Sequence, residues 1–253
     1  SLPMARSPAV VIFALSLFVS GSSLADDTQA SGPDIAGIHL GMTPEEVRAK
    51  MQAYDDAIKI QDMSNQFRFS ALGKQYKTDA FLVSTTGMLT SGRGSLAVGY
   101  SYPPGAPRVT SISRNHRQSV EPLTQADYVK ALIEKCGTPA EDVDNGGTGA
   151  GALRTLKWTL PGSGNNVCTE GVSAGNPVLK HMQQNGRKVE PTPELAATCA
   201  GVFKYVLRGD PVIHAVGEIA DIASQAKSEF AAQRWVQQQV DDKSRTGTVP
   251  PKL

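Results

Sequence analysis

Gly37-Ile38-His39-Leu40-Gly41-Met42-Thr43-Pro44-Glu45-Glu46-Val47 decides how the chain begins to fold. Thr43 offers a side-chain oxygen as a helix N-cap, and Pro44 suits the first helical position because the N–H it lacks has no intrahelical partner there. Glu46, three residues after the cap, completes a capping box. Val47, Met51 and Tyr54 then recur at helical spacing as a narrow apolar face, which predicts a helix over 44–53. Beyond it the period drops to two. Phe67 and Phe69, Phe81 and Val83, and Leu96, Val98 and Tyr100 alternate with polar residues, and 109–114 reads as a further strand. Turn residues at Gly73, Gly87, Gly92, Gly94 and Pro103-Pro104 separate them, so the stretch reads as a helix on an antiparallel meander.

The pattern then starts again. Thr124 is a second cap with Asp127 three residues on, followed by an apolar face of Tyr128, Val129, Leu132, Ile133 and Cys136 and a stop at Gly137-Thr138-Pro139. Strand patterns follow at 153–160, 202–207 and 212–219, with a long irregular segment, 161–198, between the first two. The last element, 222–243, places Ile222, Ala226, Phe230, Val236 and Val240 on one stripe and reads as a closing helix. The expectation is an α+β protein of two tandem modules, 37–118 and 119–243. Each module is a helix packed on an antiparallel sheet, and a polar tail, 244–253, follows.

With 25 Lys and Arg against 24 Asp and Glu among 253 residues, the chain has no basic field for nucleic acid or anionic lipid. Its 40% hydrophobic content is too high for a disordered chain. Residues 1–25 read as a cleaved signal peptide. Arg6 supplies the positive start, 9–19 is apolar apart from Ser16, and Ser23-Leu24-Ala25 presents small residues to a peptidase, placing cleavage before Asp26. The apolar run is about half of the roughly 20 residues needed to cross hydrocarbon. Residues 26–36, small and polar, read as a flexible lead-in. No cysteine lies near the cleavage site, so a lipid-modified N-terminus is not expected. These features predict a periplasmic protein without a stable membrane anchor.

Three cysteines cannot all pair within one chain. Cys168 with Cys199 is the expected disulfide, because the two flank a Gly, Asn and Pro-rich stretch. Cys136, at the end of the second helix, reads as a small buried hydrophobe.

The run Gly37 to Val47, with its Gly-Met-Thr-x-x-x-Val core, resembles the start of the BamE/SmpA outer-membrane assembly domain, whose structural relatives include the beta-lactamase inhibitor protein repeat. A fainter echo lies at 123–139, where Lys135-Cys136-Gly137-Thr138-Pro139 is similar to the Leu-Gly-x-Pro ending the helical part of such modules. The resemblance implies tandem α-on-sheet repeats used by binding proteins and envelope components.

Catalytic patterns are sparse. Ser224-Gln225-Ala226-Lys227 matches Ser-x-x-Lys, and Arg245-Thr246-Gly247-Thr248 mimics Lys-Thr-Gly, but they stand too close together for the fold that uses both. There is no nucleophile elbow, phosphate loop or dinucleotide glycine pattern. His39, His116, His181 and His214 are scattered singly, so neither a metal nor another cofactor is expected. Asp142-Val143-Asp144-Asn145-Gly146 spaces oxygen ligands as a calcium loop does, yet Leu153 stands where the bidentate Glu belongs, and a solvated hairpin or linker is the better reading.

Candidate contact residues are aromatics that the core pattern leaves over: Trp235, off the apolar stripe of the last helix, and Tyr100 and Tyr102 beside Pro103-Pro104. The reading is a non-enzymatic, envelope-associated binding or accessory factor that contacts another exported protein through a sheet face or the 161–198 loop. Two alternatives stand beside it: an inhibitor or immunity-type protein that blocks an enzyme cleft, and an enzyme with a site between modules, such as His116 near Glu121.

Overall fold

Antiparallel pairing of strands from both ends of the chain organises the protein in a computed structural model, which describes residues 32–118, 121–160 and 201–246. All of these belong to one unit. The chain opens with β1 (Asp34–Ile35) and β2 (Ile38–His39), α1 (Pro44–Tyr54), β3 (Lys59–Asn65) and the hairpin β4 (Arg68–Ala71) to β5 (Lys74–Lys77). Then come β6 (Phe81–Met88), β7 (Gly94–Tyr100), β8 (Val109–Arg117), α2 (Gln125–Cys136), β9 (Glu141–Asp144) and β10 (Leu153–Lys157). After the undescribed stretch follow β11 (Gly201–Arg208), β12 (His214–Asp221) and α3 (Ile222–Thr246).

Eight strands form a single antiparallel sheet in the order β3-β6-β7-β8-β12-β11-β10-β9. This corrects the expectation of two tandem helix-on-sheet modules. Each half of the chain contributes four strands, but β8 pairs with β12 from His214↔Arg117 to Ala220↔Ser111, fusing both halves into one mostly β structure. Two small two-stranded sheets and three α-helices complete it among the described residues. Local periodicity carries no information about that long-range pairing. Three boundaries also move. Phe67 and Phe69 do not extend the main sheet, because β4 pairs with β5 in a hairpin of its own. The outermost strands β3 and β9 lack apolar alternation and escape a periodicity search. The stretch read as a flexible lead-in holds β1, whose Ile35 is fully buried.

The helix starts form as their chemistry dictates. Thr43 Oγ1 accepts the Glu46 N–H at 3.2 Å while the Glu46 carboxylate accepts the Thr43 N–H at 2.7 Å, so the capping box is complete. Thr124 caps α2 by accepting the Asp127 N–H at 3.1 Å, and the Gly137 N–H closes the far end on Ile133 O. Between β1 and β2, Ala36 and Gly37 both adopt positive φ, the tight hairpin turn that matches strand twist, with Asp34 accepting the Gly37 N–H.

One face of the sheet carries the core. Val98, Ile112, Ile219 and Phe203 are register partners across four strands, and Leu96, Leu156, Leu207 and Tyr205 join them. Val47 and Met51 of α1 and Tyr128, Val129 and Leu132 of α2 belong to the same buried cluster. Gly87 allows the close approach of α1, since a Cβ there would lie 2.5 Å from Ile58 Cδ1 and 3.1 Å from the Met51 sulfur. Burying each such aliphatic side chain contributes about 1.5–3 kcal/mol.

α3 lies against the opposite face near β8, β11 and the β4 hairpin. Thr110 Oγ1 donates to Gln225 Oε1 at 2.7 Å, and the Tyr102 N–H donates to Ser228 Oγ at 3.1 Å. Its buried set, Ile222, Ala226, Glu229, Phe230 and Ala232, shares three members with the expected stripe and adds Glu229, which accepts from Gln225 Nε2 at 2.9 Å. No described helix is long and apolar enough to cross a membrane.

Candidate binding surface

Residues directly opposite in an antiparallel sheet share a face, so the register fixes what each face presents. On the face opposite α1 and α2, one row runs Gln61, Thr86, Ala97, Ser113 and a second runs Lys59, Met88, Ser95, Asn115. Met63, Ser84, Gly99 and Ser111 form a third, which α3 begins to cover: Ser111 is buried. Beyond Ser111 the surface consists of uncharged side chains, most of them small, with the cations Lys59 and Arg117 at strand ends. Met63 is 58% exposed and Met88 53% exposed, which makes them two of the more exposed large hydrophobic residues described. Both thus stand on the same face, beside half-exposed Ser84, Thr86, Ala97 and Gly99.

The aromatics singled out from the sequence go elsewhere. Tyr100 is 1% exposed and its hydroxyl donates to Thr85 Oγ1 at 2.9 Å, so it is a core residue and offers nothing to a partner. Burial raises its phenol above the usual range. Tyr102 is half-buried and packs against Phe67 and Phe81 at centroid distances of 5.9 and 5.5 Å. Burial, then the Glu229 charge, push its phenol up to about 12. Trp235 is half-buried on α3. With Tyr100 in the core and Tyr102 packed on two rings, the two tyrosines do not form an exposed docking tip. The expected Cys168–Cys199 pair lies outside the described residues. Cys136 is a free thiol, half-buried, which burial pushes above its ordinary range and away from nucleophilic use.

Ser224 and Lys227 are exposed on the first turns of α3, and Ser224 is bound to Asp221 through both its N–H and its hydroxyl. That geometry caps the helix. Asp142 and Asp144 lie on the edge strand β9, where Asp142 receives a two-pronged bond from Arg154 Nε and Nη2, both at 2.7 Å. Among the described residues no three His, Cys, Asp or Glu side chains converge as a metal site.

Sequence reasoning missed Met63 and Met88 because it searched for aromatics and left 59–65 unassigned. For Met63 the signal was a methionine within the polar run Gln61 to Gln66; Met88, next to Leu89, carried none. Comparison with protein-family models, curated proteins and solved structures finds no match.

Proposed function

We propose that the protein is an exported, non-enzymatic binding factor that holds another exported protein against the helix-free half of its sheet, between β3 and β8. The observation that carries this reading is the pair Met63 and Met88, both more than half exposed on one face beside a floor of small side chains. Small residues let a partner backbone approach closely. Methionine supplies adaptable, polarisable contacts at little conformational specificity. Between β3 and β8 this face has no carboxylate, and its cations, Lys59 and Arg117, stand at strand ends, so its partner presents a largely uncharged, apolar surface. The short apolar run at 9–19 and the resemblance of 37–47 to an envelope domain support a periplasmic setting.

The experiment is a binding comparison in the native host. Photo-crosslinking from Thr86 captures one discrete partner, and the doubly substituted Met63→Glu, Met88→Glu protein, checked for an unchanged circular dichroism spectrum, loses it. Capture that persists undiminished in that variant refutes this surface.

A further inference from the structure

The ends of the two core helices differ in a way that assigns a second site, on the sheet face opposite the one above. A pocket of about 550 Å³ beside the end of α2 is lined by Asp34, Lys135, Cys136, Trp158 and Phe203. Its polar groups are matched: Lys135 Nζ donates to Asp34 at 2.9 Å, and Trp158 Nε1 donates to Gly137 O at 2.8 Å. A pocket of about 670 Å³ beside the end of α1 is lined by Tyr54, Asp55, Leu89, Arg93, Arg114 and His116 among others. Here two buried polar atoms are left unmatched.

Arg114 Nε and His116 Nδ1 are both buried without a hydrogen-bond partner. None of the described ion pairs includes Arg93 or Arg114; the Arg114 guanidinium instead lies 5.3 Å from the centre of the Tyr54 ring. The strand places these groups together, because Arg114 and His116 are two apart on β8 and so share a face. Two carboxylates, Asp55 and Asp56, also line the pocket, and the first is already engaged. Asp55 accepts from the Thr90 N–H and hydroxyl and from the Ala57 N–H, bonds that, with the nearby Arg93 charge, hold it below the usual carboxylate range.

We propose that this pocket binds the oxyanion of a small ligand, a carboxylate or a phosphate, between Arg93, Arg114 and His116. The Arg114 Nε–H is a buried donor left unpaired, which costs free energy, and His116 Nδ1 donates beside it in the Nδ1–H tautomer or once protonated; an oxyanion supplies the missing acceptor together with the opposite charge. Arg93 stands exposed at the mouth and Arg114 half-buried beneath Tyr54, so the ligand's anionic group enters first and its remainder faces the rim. A pocket of this volume suits a small molecule rather than a polymer.

The test is titration calorimetry of the full chain with inorganic phosphate and, separately, with succinate in low-salt buffer. At least one gives saturable binding that weakens about tenfold in Arg93→Gln and in Arg114→Gln, as loss of a charge-assisted hydrogen bond requires, while Lys135→Gln at the other pocket leaves it unchanged. Binding of phosphate alone identifies a phosphorylated ligand, and of succinate alone a carboxylate. Arg93→Gln alters an exposed residue and keeps the test decisive if Arg114→Gln fails to fold. Absence of saturable heat with either anion up to about 10 mM, or binding unaltered by both arginine substitutions, overturns the assignment.

Discussion

Two neighbouring rows of one sheet have opposite fates. Ile60, Gly87, Leu96, Arg114, Gly217, Tyr205 and Leu156 lie on the side that α1 and α2 cover, and all but Ile60 and Arg114 are buried. One residue along each strand, Gln61, Thr86, Ala97 and Ser113 face the other way, each small or polar and half-exposed or more. The first row specifies the fold by volume and contact. The second contributes little to stability and is free to carry recognition, which is why a large apolar residue there, such as Met88, points to binding and one in the first row does not.

The sharpest challenge to that division is a truncation on the covered side. Ile219→Ala, at a fully buried position, lowers unfolding free energy by about 2–5 kcal/mol in urea denaturation. Ala97→Ser on the other side changes it by less than about 0.5 kcal/mol in the same measurement. Equal losses at the two positions would erase the distinction. Gly87→Ala comes next. The added Cβ meets Ile58 and Met51, and the overpacking costs about 1–3 kcal/mol in the same denaturation assay, with partner capture from Thr86 unaffected because the clash is on the covered side. Thr43→Ala removes one bond of the α1 capping box and lowers stability by about 1 kcal/mol, read as a reduced thermal midpoint.

The smallest effect is one of pH. Burial, then Arg114 on its own strand, Arg93 before β7 and His214 on β12, hold the His116 imidazole below its ordinary range. The unfolded chain therefore binds the proton more readily, so stability is full above the unfolded value of about 6.5 and falls as pH drops from there toward the depressed folded value. His116→Gln flattens this part of the stability profile between about pH 6.5 and 5, measured by urea midpoints. A saturating anion in the pocket flattens it as well, by drawing the folded imidazole back up.

What the sequence disclosed divides along the same line. Both helix starts are legible because Thr43-Pro44-Glu45-Glu46 and Thr124 with Asp127 are local devices, complete within four residues. Central strands β7 and β11 alternate visibly because one flank of each faces the core. Edge strands do not. Lys59-Ile60-Gln61-Asp62-Met63-Ser64-Asn65 is exposed at six of seven positions, and Glu141-Asp142-Val143-Asp144 at all four, so neither has an inward rhythm to detect. The fusion of the halves through β8 and β12 joins residues about a hundred positions apart, and no local pattern encodes it. The cationic pocket was half legible. Arg114 and His116 stand two apart in a strand whose Ile112 points inward, which places both on the core side, but Arg93 and Tyr54 reach the same space only through the tertiary fold.

The claim that one sheet face folds the chain and the other binds a partner is tested most directly by a site-specific photo-crosslinking scan in the native host. The probe is placed in turn at Thr86, Ala97 and Ser113 on the open face and at Lys130 and Glu134 on the exposed side of α2. One adduct of constant mass is expected from the three sheet positions and none from the helix. Adducts from Lys130 or Glu134 alone, or none from any sheet position, would contradict it.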